Sequence, residues 1–141
     1  MPIMESLVYR RRSRLVREFL LLYGLDVPAE VSIGPGLVLH HRAMGTVIHP
    51  QTRIGANVTI YHQVTIGRAD AHVDRSDSPM ERIEIDDGAI IYPGAKVLGG
   101  PGVTRIGKRT IVAANAVVTR STGDNEIWGG IPARVIGMRS E

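Results

Sequence analysis

The stretch IHPQTRIGANVTIYHQVTIG, residues 48–67, carries an isoleucine at every sixth position: Ile48, Ile54, Ile60 and Ile66. Thr52, Val58 and Val64 stand between them, each four residues after an isoleucine. A period of six matches neither the 3.6-residue repeat of a helix nor the two-residue alternation of a half-buried strand. It matches short flat strands that form the sides of a triangular coil, with a turn at each corner and about eighteen residues per coil.

The same spacing recurs outward from this stretch. Ile85, Ile91 and Val97 keep it, with Ala89 and Ala95 at the fourth step. Ile106, Val112 and Val118 keep it again, with Thr110, Ala116 and Thr122. Val27, Ile33 and Leu39 precede the stretch in the same rhythm. A Val/Ile-rich sandwich does not hold phase over so many positions. The pattern predicts an all-β solenoid, a parallel β-helix of hexapeptide repeats. Its large aliphatics fill the lumen and its small or β-branched residues fit the corners.

The rhythm breaks in three places. Leu39 to Ile48 spans nine residues and contains LHHRAMG (39–45). Ile66 to Ile85 spans nineteen and carries the polar segment GRADAHVDRSDSPMER (67–82). Val97 to Ile106 spans nine and contains GGPGVTR (99–105). Each is expected as a loop pushed out of the coil, and loops on a rigid scaffold are where chemistry concentrates.

Residues 1–26 and 27–141 divide into an N-terminal amphipathic helix and the β-helix with its tail. Over residues 3–24, Met4, Val8, Leu15, Phe19 and Leu22 fall roughly on one helical face. Arg10, Arg11, Arg12, Arg14 and Arg17 cover much of the rest, and Gly24 and Pro28 stop the helix. Such a helix packs on its own solenoid or a neighbouring subunit, or makes peripheral contact with an anionic membrane. The segment IWGGIPARVIGMRSE (127–141) is expected to cap the far end, with Trp128 covering it.

Composition narrows the function. A length of 141 residues bounds the chain to one domain. With no cysteine there is no disulfide, thiolate metal site or thiol nucleophile, which fits a cytoplasmic setting. No apolar run reaches transmembrane length, and the N-terminus lacks a signal-peptide pattern. The net charge is +3, but the cations comprise fifteen Arg and two Lys. Guanidinium groups suit phosphate and carboxylate recognition, hence a phosphorylated cofactor or an acidic polymer. Scattered arginines and only 4% aromatics disfavour nucleic acid.

Four segments in order carry a family resemblance: IHPQTRIGANVTIYHQVTIG (48–67), YPGAKVLGG (92–100), IVAANAVV (111–118) and GGIPARVIG (129–137). The chain resembles the hexapeptide acyltransferases of the serine acetyltransferase type over about residues 20–138. It is most similar to the short relatives found in polysaccharide biosynthesis. The resemblance implies a left-handed coil, a homotrimer with active sites between subunits, and acetyl-CoA as co-substrate in the groove between adjacent β-helices. It also implies direct transfer without a metal, a histidine acting as general base on an acceptor hydroxyl, and backbone N–H groups stabilising the oxyanion.

The resemblance then assigns residues. The family's Asp-His pair matches HHRAMGTVI (40–48), with His41 in the histidine column and His40 replacing the aspartate. Counted back from Gly45, Arg42 would take that column, but a guanidinium does not lose its proton at neutral pH. His41 is therefore the candidate base, with His40 as the alternative base or orienting partner. A second family histidine, which helps hold serine, matches VDRSDSPM (73–80): Asp74 and Arg75 are present, and Ser78 stands where the histidine would be. One helix also stands where the family has a large helical domain. Both departures point to a sugar hydroxyl, on a glycan or its precursor, as acceptor, with serine O-acetylation as the alternative.

His62 is a candidate contact for acceptor or pantetheine, and Asp74 and Arg75 are candidate acceptor contacts. His49 and His72 rank lower. For the cofactor the resemblance implies the backbone of Gly67, Gly94, Ala95, Ala113 and Ala114. It offers Lys96, Lys108, Arg109 and Arg134 to the phosphates, Arg134 first because it lies in the Gly-x-Pro-Ala-Arg motif. Two rival readings are a metal enzyme on the same solenoid and a non-catalytic glycan-binding scaffold. The first needs histidines on successive coils, and none follows His72.

Overall fold

The computed structural model describes residues 2–140. Strands are numbered in chain order. One sheet holds β1 (Ser32–Ile33), β4 (Thr52–Ile54), β7 (Met80–Ile85) and β10 (Gly102–Ile106), all parallel. A second holds β2 (Val38–Leu39), β5 (Thr59–Ile60), β8 (Ile90–Ile91) and β11 (Ile111–Val112). A third holds β3 (Val47–Ile48), β6 (Thr65–Arg68), β9 (Lys96–Gly99) and β12 (Val117–Val118). Successive strands visit the three sheets in rotation, so every three strands make one coil around a shared core.

The six-residue ladder is the core. Ile33, Ile54, Ile85 and Ile106 stand in register along the first sheet. Leu39, Ile60, Ile91 and Val112 do so along the second, and Ile48, Ile66, Val97 and Val118 along the third. All are buried except Ile33 and Leu39 in the first coil, which are partly covered. Each fully buried Ile or Val contributes about 1.5–3 kcal/mol. The fourth-step residues Thr52, Val58, Val64, Ala89, Ala95, Thr110, Ala116 and Thr122 are all buried at the corners.

Both ends of the solenoid are closed. The first coil would otherwise leave its backbone polar groups unpaired. The N-terminal segment supplies partners. The Tyr9 hydroxyl donates to the Gly34 carbonyl (2.6 Å) and accepts from the Leu37 amide (3.2 Å). The Glu5 carboxylate accepts from the Leu39 amide (2.8 Å), and Arg11 donates to the carbonyls of Val8, Pro28 and Val31. At the far end β13 (Glu126–Gly130) continues the second sheet, and β14 (Ala133–Met138) folds back antiparallel on it. Trp128 pairs with Val112, is buried, and lies under the Arg120 guanidinium.

Two expectations are corrected. The N-terminal segment is not one helix but two, α1 (Ile3–Tyr9) and α2 (Arg14–Leu22), separated by a turn over residues 10–13. Ser13 caps α2, its hydroxyl accepting from the Val16 amide, and this restart rotates the apolar positions apart. Met4 and Val8 are buried, whereas Leu15, Phe19 and Leu22 point outward. The third phase break is not an extruded loop either. The extra residues lengthen β9 and β10, which reach Gly99 and start again at Gly102. Gly102 and Val103 pair with Met80 and Arg82 of the lengthened β7. Met80 and Ile83 are buried there, so the insertion widens the core. The other two breaks do leave the coil, as the turn His40–Ala43 and the loop 69–79.

Candidate functional site

One edge of the prism collects most of the singled-out residues. The chain passes from the second sheet to the third at residues 40–46, 61–64, 92–95 and 113–116. His40 and His41, then His62, then Gly94 and Ala95, then Ala113 and Ala114 therefore lie on successive coils of the same edge. Tyr61 and Tyr92 follow the ladder isoleucines Ile60 and Ile91 at equivalent positions. Their rings stack at 5.1 Å and 11°, and His40 stacks on Tyr61 at 4.5 Å and 27°. His41 meets His62 edge-on, with ring centroids 5.0 Å apart. The His62 Nδ1 is buried and has no hydrogen-bond partner among the described residues.

The histidine turn is unusual in its backbone. His41, Arg42 and Ala43 have φ values of 51°, 57° and 50°, and Gly45 has 77°. Residues with a Cβ visit the left-handed region singly, at a cost of roughly 1–2 kcal/mol each. Three in a row persist only where the surroundings over-determine them. Here Ala43 is fully buried in the lumen, the Gln63 amide donates to the Met44 carbonyl (2.8 Å), and Thr46 Oγ1 bridges the Tyr61 carbonyl and the Val64 amide. The turn forms one left-handed twist that presents His41 beside His62. Asp26 lies next to this turn: its amide donates to Thr46 O and its carbonyl accepts from the Ile48 amide. Exposed Val38, Met44 and Val47 surround the turn.

The remaining candidates are dispersed within the chain. Lys96 opens β9 from the same edge, its Nζ donating to the Gly94 carbonyl (2.7 Å). The Ala95 side chain faces the lumen, so only its backbone is available outside. Gly67 lies at the opposite edge of the third sheet. A Cβ built there meets only Thr65 Cγ2, at 3.8 Å, which leaves open space over its outer face. Lys108 and Arg109 are exposed at the edge between the first and second sheets, with Arg109 Nε donating to Asn125 Oδ1. Arg134 is on β14 and donates to the Ala133 carbonyl. Asp74 and Arg75 are exposed in loop 69–79, on the Gly67 side, where Arg75 Nε donates to Gln51 Oε1 (3.3 Å). Among the described residues, no three His, Asp or Glu side chains gather as a metal site would require.

The long loop is held by its own polar cluster. Asp70 accepts from the Ser78 hydroxyl (2.6 Å) and from Arg68 (3.1 Å). Ser78 Oγ also accepts from the Met80 amide, and Arg68 donates to the Val73 carbonyl. The Ser78 hydrogen bond, aided by the Arg68 charge, holds the Asp70 carboxyl below its usual range. His49, at the loop's base, accepts from the Gln51 amide on Nδ1. Burial, with the nearby Arg75 and Arg68 charges, lowers its pKa and favours the neutral ring.

The chain is 36% identical over 130 residues to a serine acetyltransferase of Mycobacterium tuberculosis, covering 92% of this chain and 53% of that protein. Its fold matches a serine acetyltransferase of Brucella abortus with a TM-score of 0.75 at 30% identity, over 90% of this chain and 48% of that one. It also matches a structure of the Brucella abortus enzyme in complex with coenzyme A, with a TM-score of 0.73 at 28% identity, over 97% of this chain and 53% of that one. Over most of its length the chain is thus similar to proteins named serine acetyltransferases.

No family model matches the chain. The chain spans about half the length, or less, of the curated relatives it matches, 39% and 53% in two cases. Sequence reasoning missed Tyr61 and Tyr92, although both occupy the position after a ladder isoleucine. It also missed that Ser78 acts as a clasp on Asp70, because a loop's internal bonds leave no periodic trace.

Proposed function

We propose that this protein is an acetyl-CoA-dependent O-acetyltransferase of left-handed β-helical fold, with His41 as general base. The observation that carries this reading is the His40–Ala43 turn. A strained, over-determined backbone holds His41 beside His62 on the edge shared with Gly94, Ala113 and Ala114. Acetyl-CoA would supply an activated acyl thioester. Small side chains at Ala113 and Ala114 allow a pantetheine chain close approach to the backbone at that edge, and Gly67 offers an open face at the opposite edge of the third sheet. Lys96, which opens β9 from that edge, and Arg134, on β14, would meet the cofactor phosphates. His41 takes the proton of the acceptor hydroxyl, and His40, stacked on Tyr61, steadies the turn.

The named relatives support serine as the acceptor over the sugar hydroxyl expected from the sequence. One of the similar solved structures is a Neisseria gonorrhoeae serine acetyltransferase in complex with serine. A sugar of the polysaccharide-biosynthesis type is the second reading, because the Ser78 hydroxyl is committed to Asp70 and offers no imidazole at that place. The site is proposed to lie between subunits of a trimer; exposed Met44 and Val47 beside the histidine turn support cover by another copy.

The test is thiol release from acetyl-CoA with serine and with a panel of sugars, for the wild type and His41→Ala. Turnover of serine that drops ~10²–10⁴-fold in the variant is expected. Turnover with a sugar alone selects the second reading, and full activity in the variant removes His41 as base.

A further inference from the structure

We propose that the two N-terminal helices form a docking surface for an anionic lipid bilayer. The proposal does not rest on the acyltransferase reading. In α2 only Leu20 is buried. Leu15, Phe19 and Leu22, at i, i+4 and i+7, form a stripe that faces away from the solenoid. Leu15 is 80% exposed and Leu22 is 82% exposed, and with Phe19 they make a contiguous patch. Ile3 and Leu7 of α1 extend the stripe and, with Leu15, Val16 and Phe19, line a groove of about 420 Å³. Through Ile3 and Phe19 the groove runs on into a cavity of about 430 Å³ lined also by Met4, Glu5, Tyr23, Leu39 and Arg42, which reaches the histidine turn.

Charge selects the occupant. Arg10, Arg12 and Arg14 are exposed at the turn between the helices and at the start of α2, and none makes an ion pair among the described residues. Arg11 and Arg17 are already engaged with backbone carbonyls. One carboxylate, Glu18, stands on the exposed rim; Glu5 is buried. A largely apolar stripe, flanked by Glu18 and bordered by free guanidinium groups, matches acyl chains beside lipid phosphates, the pattern of an interfacial helix. Phe19 and Tyr23 pair at 5.5 Å at the end of the stripe, an aromatic with a polar tip at headgroup depth.

The experiment is co-sedimentation of the full chain with vesicles of phosphatidylcholine alone and of phosphatidylcholine with one-third phosphatidylglycerol, at low and high salt. Binding to the anionic vesicles, weakened by salt and absent on neutral ones, is expected. Arg10→Ala/Arg12→Ala/Arg14→Ala should weaken binding roughly a hundredfold, from the contribution of each cation near an anionic surface. Leu15→Glu/Leu22→Glu should abolish it while leaving thermal stability and mass in solution unchanged, since both side chains are exposed. Failure of the wild type to bind anionic vesicles overturns the proposal. Binding that ignores lipid charge and the three arginines does so as well. A fall in oligomeric mass in the double leucine variant would show instead that the stripe is a contact between copies.

Discussion

Arg42 offers a test of the histidine turn whose sign is decided by backbone conformation alone. The side chain is exposed and its guanidinium lies 5.7 Å over the Tyr23 ring. Arg42→Ala and Arg42→Gly both delete that contact, so their difference reports only on the backbone. At an ordinary position Ala is the more stable of the two by about 0.4–1 kcal/mol, because Gly has more freedom to lose on folding. At φ 57° the order should reverse. A Cβ in the left-handed region costs roughly 1–2 kcal/mol. Subtracting the unfolded-state advantage of Ala leaves Gly ahead by about 0.8 kcal/mol at mid-range, and by up to about 1.6 kcal/mol. Urea denaturation of both variants measures the difference. Arg42→Gly should therefore be the more stable variant, and because Gly holds φ 57° without strain it should keep the histidine turn in place. If Arg42→Ala is as stable as Arg42→Gly, the turn is not held in the left-handed region in solution, and the argument that strain orients His41 fails.

Two further outcomes follow from packing and charge. Ile91 is fully buried midway along the second-sheet ladder, between Ile60 and Val112. Ile91→Ala removes three carbons, about 2.4 kcal/mol of transfer, and the cavity left behind should raise the loss of stability to about 4 kcal/mol in urea denaturation. Ser78→Ala removes the main cause of the lowered Asp70 pKa, with Arg68 remaining. A depressed folded-state value stabilises the fold above the unfolded pKa of about 3.9 and loses that effect as pH falls through the lowered value. The Asp70 carboxyl should therefore titrate higher by NMR in the variant, and the variant's stability should depend less on pH below that point.

The solenoid was legible because its period is carried by single residues. Each ladder position needs one large aliphatic, and each corner needs one small or β-branched residue, so a local rule repeated without a slip predicts the coil. Breaks in that rule also located the histidine turn and the long loop. They did not distinguish an insertion that leaves the coil from one that lengthens its strands. GGPGVTR reads as a loop, yet Gly102 and Val103 found pairing partners on β7. The N-terminal helix misled for a related reason. A helical wheel over residues 3–24 assumes an unbroken axis, and the turn at residues 10–13 rotates Leu15, Phe19 and Leu22 away from Met4 and Val8.

By itself the sequence determined the repeat, the inward identity of each ladder residue, and the chemical case for an imidazole over a guanidinium in the histidine turn. These depend on residue type and spacing, which are local. Only the tertiary structure decided which candidates share an edge. His40, His41, His62, Gly94, Ala113 and Ala114 lie on successive coils, while Lys108, Arg109, Asp74 and Arg75 stand on other edges of the same prism. Sequence separation carries no record of which corner a residue turns. That is set by the stacking of coils, where backbone hydrogen bonds between neighbouring strands bring distant residues into register.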